Sequence, residues 1–148
     1  MAGRAETAEA GASQLRRLSV RIQGGETTVV VAVRGAAREV ARELGFSVVD
    51  QTRVATAVSE ITRNIVMYAE SGQITISEAR GGQRIGIEIL AEDEGPGIQD
   101  LELVMRGGYS TSGGFGRGIA GARALMDEFY LESAVGKGTR VLMRKWLD

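Results

Sequence analysis

Four groups of residues in this chain can do chemistry, and they follow one another in order along it. Glu60 and Asn64 stand four apart in "SEITRN". On a helix that spacing puts a carboxylate and a carboxamide on one face, one turn apart. A hard cation such as Mg²⁺ takes oxygen ligands and keeps waters and substrate phosphates in its shell. One of the two side chains can therefore reach a metal while the other orients a nucleophile. A solvated helix face carries the same pair just as readily. Asp93 opens "DEGPG", with Gly95 and Gly97 behind it. At a strand's end such a carboxylate is an acceptor suited to the exocyclic amine of adenine, and the glycines let a flat ligand come close. Asp, Gly and Pro are equally the residues of a plain turn.

The third group is "YSTSGGFGRGIAG", residues 109–121, in which Gly114, Gly116 and Gly118 form GxGxG ahead of a helix. Glycine loses more chain entropy on ordering than any other residue, so the cluster needs a reason. Backbone N–H groups gathered at a helix N-terminus form an anion cradle. Gly116, Gly118 and Gly121 also spell GxGxxG, but no buried strand precedes them, as a dinucleotide fingerprint requires. The fourth group is "GKGT", with Thr139 opening the last strand. It lacks the earlier glycine of a phosphate-binding P-loop. Its hydroxyl can support Asp93 or reach a base through water, or simply begin a strand.

The elements that must position these groups read as follows. "LSVRIQ" alternates as a half-buried strand. A helix runs from Thr28, as N-cap, to Leu44 with Val29, Val33, Ala36, Val40 and Leu44 on its buried stripe, and Gly45 stops it. A second helix, capped at Ser47 or Asp50, buries Val54, Ala57, Val58, Ile61, Ile65 and Tyr68 and ends at Gly72. "QITISEA" and "RIGIEILAE" form a hairpin around "RGGQ". A short helix near 100–106, a helix through "IAGARALMDEF" and strands "YLESA" and "RVLMRKWL" complete the order. This is an α+β two-layer sandwich, an antiparallel-leaning sheet with helices on one face.

The totals remove whole classes of function. With 148 residues the chain fits one domain burying roughly 70% of its unfolded surface. It has neither cysteine nor histidine, which excludes disulfides, thiolate and imidazole metal sites and a Ser-His-Asp triad. A net charge of −1 points to no nucleic acid and no anionic membrane. No apolar run is long enough to span a bilayer, and the first residues lack a signal-peptide core, so the expected compartment is the cytoplasm. Residues 1–14 offer nothing to bury and read as a disordered lead.

"SEITRN", "DEGPGI", "GGFGRGI" and "GKGT", in this order, resemble the N, G1, G2 and final threonine boxes of the GHKL superfamily, whose ATP-binding domain is the Bergerat fold. From about residue 28 onward, "LGFSVVDQTRVATAVSEITRNIVMYA", "GYSTSGGFGRGIAGARALMDEF" and "GKGTRVLMRKW" are similar to the RsbT-type serine/threonine switch kinases. The resemblance implies a mixed, mostly antiparallel sheet and a kinase domain over 15–148. It implies ATP and Mg²⁺, with Glu60 as catalytic carboxylate and Asn64 as metal ligand. Asp93 would recognise adenine, Gly95 and Gly97 would admit the base, and Thr139 would complete its pocket. Gly114, Gly116 and Gly118 would lie on the phosphates as part of a lid, and Arg117 stays open between phosphate and solvent. Implied partners are STAS-domain scaffold or antagonist proteins, phosphorylated on Ser or Thr, and a downstream phosphatase. The alternative is an anti-sigma factor or other partner-binding module in which ATP is structural.

Overall fold

The computed structural model describes residues 17–98 and 115–148, the side chains of 115–117 excepted. The reading of residues 1–14, the short helix near 100–106, Gly114 and the Arg117 side chain lie outside the described residues. The elements are β1 (Arg17–Gln23), α1 (Thr28–Leu44), α2 (Val48–Tyr68), β2 (Ser71–Gly81), β3 (Arg84–Asp93), α3 (Phe115–Leu125), β4 (Glu128–Ala134) and β5 (Gly138–Trp146). The strands form one sheet in the order β1-β2-β3-β5-β4. All four ladders are antiparallel. α1, α2 and α3 share one core with one face of the sheet, where Ile74, Ile76, Ile87, Ile89, Val141 and Met143 are buried.

Local chemistry explains most boundaries. α1 ends in a Schellman motif: Gly45 takes φ 103°, its N–H bonds the Arg42 carbonyl, and Phe46 N–H bonds the Ala41 carbonyl. Ser47 caps α2, its hydroxyl accepting from Asp50 N–H at 3.1 Å. Gly82 supplies the positive φ of the β2–β3 turn.

Four helix boundaries differ from the sequence expectation. The residue before α1 is Thr27, not Thr28, and its side chain makes no cap. Val29 and Val30 N–H instead bond the carbonyls of Glu26 and Thr27, so a turn already under way starts the helix. In the buried face of α1, Val30, Ala37 and Ala41 join Val29, Val33 and Val40, while Ala36 and Leu44 stay half-buried. α2 stops at Tyr68, with extended Ala69 behind it, rather than at Gly72. Gly72 is a β2 residue paired with Asp93, and a Cβ there would come within 2.7 Å of the Glu92 carbonyl. Close strand approach, not helix termination, requires that glycine. Finally α3 begins at Phe115 and ends at Leu125, earlier at both ends than "IAGARALMDEF". Asp127 draws the chain onto β5, donating its N–H to the Arg144 carbonyl and accepting Trp146 N–H on its carboxylate. No helix among the described residues is long and apolar enough to cross a membrane.

Candidate functional site

Register places the site. Ile22 pairs with Gly72, Gly72 with Asp93, Asp93 with Thr139 and Thr139 with Ser133. These five residues form one row across the sheet, on the face that two residues further along carries Ile74, Ala91 and Val141. The row is therefore the polar end of the core face, and the end of α2 lies over it. A cleft of about 420 Å³, counting its open mouth, lies here. Asn64, Tyr68, Asp93, Gly97 and Thr139 line it above an apolar floor that includes Ala91 and Val141. The expected acceptor at Asp93 and amide at Asn64 thus face one hollow.

At the sheet end Asp93, Ser133 and Thr139 are each held by hydrogen bonds within the fold. Gly95 N–H donates to Asp93 Oδ1 at 2.8 Å. Burial pushes the Asp93 carboxyl above its ordinary value, and the backbone N–H groups of Gly95 and Thr139 pull it partly back. A carboxylate has about four acceptor positions, so capacity remains toward the cleft. Ser133 Oγ accepts Ile98 N–H at 2.8 Å, donates to the Gly138 carbonyl at 2.9 Å and lies 2.8 Å from Thr139 Oγ1. With its own proton committed to Gly138, Ser133 accepts the Thr139 proton, which leaves Thr139 an acceptor toward the cleft.

The glycines here answer first to protein contacts. Gly97 has φ 81° and a Cβ on it would lie 2.1 Å from the Ala134 carbonyl oxygen. At Gly138, φ 85°, the clash would be with the Asp93 carbonyl at 2.1 Å. A bond from Gly136 N–H to the Pro96 carbonyl, 2.8 Å, joins the same two turns. Gly95 has less strain, with Ala69 Cβ 2.9 Å from a Cβ built on it. Glu92 lies on the opposite face of the sheet near Arg140, 3.7 Å away, so it does not converge with Asp93 on one bond.

At the helix end the groups are less settled. Glu60 and Asn64 sit one turn apart on α2, and Gly118 of α3 lies over both. A Cβ on Gly118 would stand 3.2 Å from Glu60 Oε2 and 3.7 Å from Asn64 Oδ1. Glu60 Oε1 accepts from Arg63 Nη1 at 2.9 Å. Asn64 Nδ2 is buried and has no hydrogen-bond partner. The two ends of a carboxamide are interchangeable in assignment, so reversing the group would put an oxygen at the orphan's place. An oxygen there is the kind of ligand a divalent cation takes. Among the described residues no three His, Cys, Asp or Glu gather as a metal site. A cation here would draw one ligand from Asn64 and the rest from phosphates and water, the habit of Mg²⁺. Gly116 and Gly118 belong to the first turns of α3 rather than to a preceding loop.

Two residues of the site are not singled out in the sequence: one lines the cleft and the other holds Thr139. Tyr68 was assigned to the core stripe, yet it is half-buried at the cleft. Its place four residues after Asn64 is the signal that finds it. Ser133 is found by counting back through the β4–β5 turn, which sets it opposite Thr139.

Comparison with known proteins adds to this geometry. Residues 25–145 match the family described as histidine kinase-like ATPase domain. The chain is 52% identical over 118 residues to the serine/threonine-protein kinase RsbT of Bacillus subtilis (strain 168), covering 80% of this chain and 89% of that protein. It is 34% identical over 113 residues to the anti-sigma F factor of Thermoanaerobacter sp. (strain X514), covering 72% and 78%. The anti-sigma F factor of Clostridium acetobutylicum is 31% identical over 111 residues, covering 71% and 76%.

Proposed function

The chain belongs to the histidine kinase-like ATPase domain family, and we infer that it is an ATP-dependent serine/threonine protein kinase of a partner-switching system. Its acceptors are STAS-domain scaffold or antagonist proteins of a bacterial stress response, and transfer releases it to activate a downstream phosphatase. The 52% identity to a serine/threonine-protein kinase supports the activity. The observation that carries the site is the single cleft lined by both Asp93 and Asn64. We take the kinase domain to span 15–148 and the compartment to be the cytoplasm, where ATP is available.

In this reading Asp93 accepts from the adenine amine, Thr139 from a bridging water, and Tyr68 covers the base. Asn64 offers an oxygen to Mg²⁺, and Gly114, Gly116 and Gly118 bring backbone close to the phosphates. Mg²⁺, when bound there, would supply positive charge that offsets the phosphates. Glu60 aligns the acceptor hydroxyl and takes its proton as the new oxygen–phosphorus bond forms, while the bond from the γ-phosphorus to the β,γ-bridging oxygen breaks and ADP leaves. The chain's contribution is positioning and charge placement.

The test is incubation with Mg-ATP and a purified STAS-domain protein of the same bacterium. Transfer of the γ-phosphate to a Ser or Thr is expected. The anti-sigma F factor relatives favour a second reading, a partner-binding module with structural ATP. Capture of a sigma factor with no phosphate transfer would establish that reading instead.

A further inference from the structure

Among the described residues, Glu39–Arg42, Asp50–Arg53 and Glu60–Arg63 are helical carboxylate–arginine pairs that share the i, i+3 spacing. Such pairs on solvated faces do little, so spacing alone distinguishes none of them. The surroundings do. Glu60 is the carboxylate that lies under Gly118 and shares its helix face with the orphaned Asn64 amide. Arg63 Nη1 holds one of its oxygens, Oε1, at 2.9 Å. The other, Oε2, is the one nearest Gly118, so the guanidinium holds the carboxylate with that oxygen toward α3. Glu60 is about one-third exposed and Arg63 about half, leaving the arginine free to adjust when an anion enters.

A fixed carboxylate beside a triphosphate poses an electrostatic problem, because two anions at contact range repel. From these observations we propose that Arg63 is the positioning and charge-balancing residue for Glu60. It clamps the carboxylate in a single orientation and offsets its charge, so that the terminal phosphate is admitted beside it. The inference rests on the nucleotide site proposed above and deepens it. It assigns to Arg63 a selectivity for the triphosphate over the diphosphate, since only the γ-phosphate reaches the Glu60 end. Arg63 acts through Glu60 and is not itself a catalytic residue.

The experiment is calorimetric binding of Mg-ATP and Mg-ADP to the full chain and five variants. Arg63→Ala should weaken ATP roughly tenfold, the scale of one uncompensated like-charge contact at a part-exposed site, and leave ADP within about twofold. Arg63→Lys, which keeps the charge, should stay within about threefold of the unaltered chain for ATP. In a Glu60→Gln background, Arg63→Ala should change ATP affinity less than about twofold, because no carboxylate remains to be balanced. Arg42→Ala, which breaks a pair of the same spacing away from the cleft, should alter neither affinity. Equal weakening of ATP and ADP, an effect that persists without the Glu60 charge, or an Arg63→Ala chain that binds like Arg42→Ala would each overturn the proposal. An unaltered chain that binds neither nucleotide would instead sink the site itself, and the inference with it.

Discussion

The two ends of the cleft are built on different principles. The sheet end is assembled from strand register and interlocked turns, and its polar groups satisfy one another: Gly95 on Asp93, Ser133 on Thr139, Gly138 and Ile98. The helix end rests on two packed helices, keeps an orphaned buried amide at Asn64 and has a glycine where any side chain would crowd Glu60. The sheet end is preorganised, its side chains held in place by the fold with acceptors left toward the cleft. The helix end carries a polar debt that a cation and phosphates can settle. Such a division suits a site that recognises a constant base rigidly and binds a triphosphate whose charge changes with every turnover.

If the division is real, variants at the two ends should fail differently. Glu60→Ala should lower phosphate transfer by about 10²–10⁴-fold, the usual worth of a proton-handling group, with ATP affinity kept within about threefold. Single-turnover transfer beside equilibrium binding separates the two, and loss of binding would place Glu60 in recognition instead. Asp93→Asn should act at the other end, costing about a hundredfold in ATP affinity by turning an acceptor into a mismatched donor.

The same substitution has a stability signature of opposite sign. Burial raises the Asp93 carboxyl in the fold, against the pull of the Gly95 and Thr139 N–H groups. A carboxyl raised in this way favours folding below its unfolded value and loses that contribution as pH climbs through the raised folded value. At neutral pH the nucleotide-free Asp93→Asn chain should therefore melt about 1–3 °C higher, and ATP affinity of the unaltered chain should fall as pH drops through the raised value. A lower melting temperature in Asp93→Asn would contradict the burial argument.

Smaller effects sharpen the contrast. Ser133→Ala removes the acceptor for Ile98 N–H and the donor to Gly138, and should cost about 1–2 kcal/mol of stability with a several-fold loss of ATP affinity. Denaturant midpoints with unchanged slopes would measure it. Away from the cleft, Gly35 lies inside α1 with open space around its missing side chain. Gly35→Ala should add about 0.5–1 kcal/mol and leave ATP binding untouched.

Legibility in the sequence followed the same divide. Local signals worked where local chemistry decides: Ser47 as cap, Gly45 as stop, Gly82 in the hairpin, and alternation in β2 and β3. The placement of Asp93, Asn64 and Thr139 on one hollow followed from motif order, and the cleft contains all three. What was misread depends on partners distant in the chain. Gly72 looked like a helix stop because its real reason, the Glu92 backbone, is invisible until β2 and β3 pair. Tyr68 fitted an apolar stripe because periodicity records a face and not whether that face ends in a cavity. α3 ends earlier than the apolar run suggests because the bonds that stop it come from β5. The reason assigned to Gly97, access for a base, took no account of Ala134, which already requires the glycine.

The central claim is that one cleft holds the base at Asp93 and the terminal phosphate at Asn64 and Gly118. Backbone amide NMR shifts recorded with adenosine and then with Mg-ATP test it most directly. Adenosine should move Gly95 and Thr139 and leave Gly118 unmoved, and Mg-ATP should add large shifts at Asn64 and Gly118. Shifts from both ligands confined to one end, or falling on neither, would contradict it.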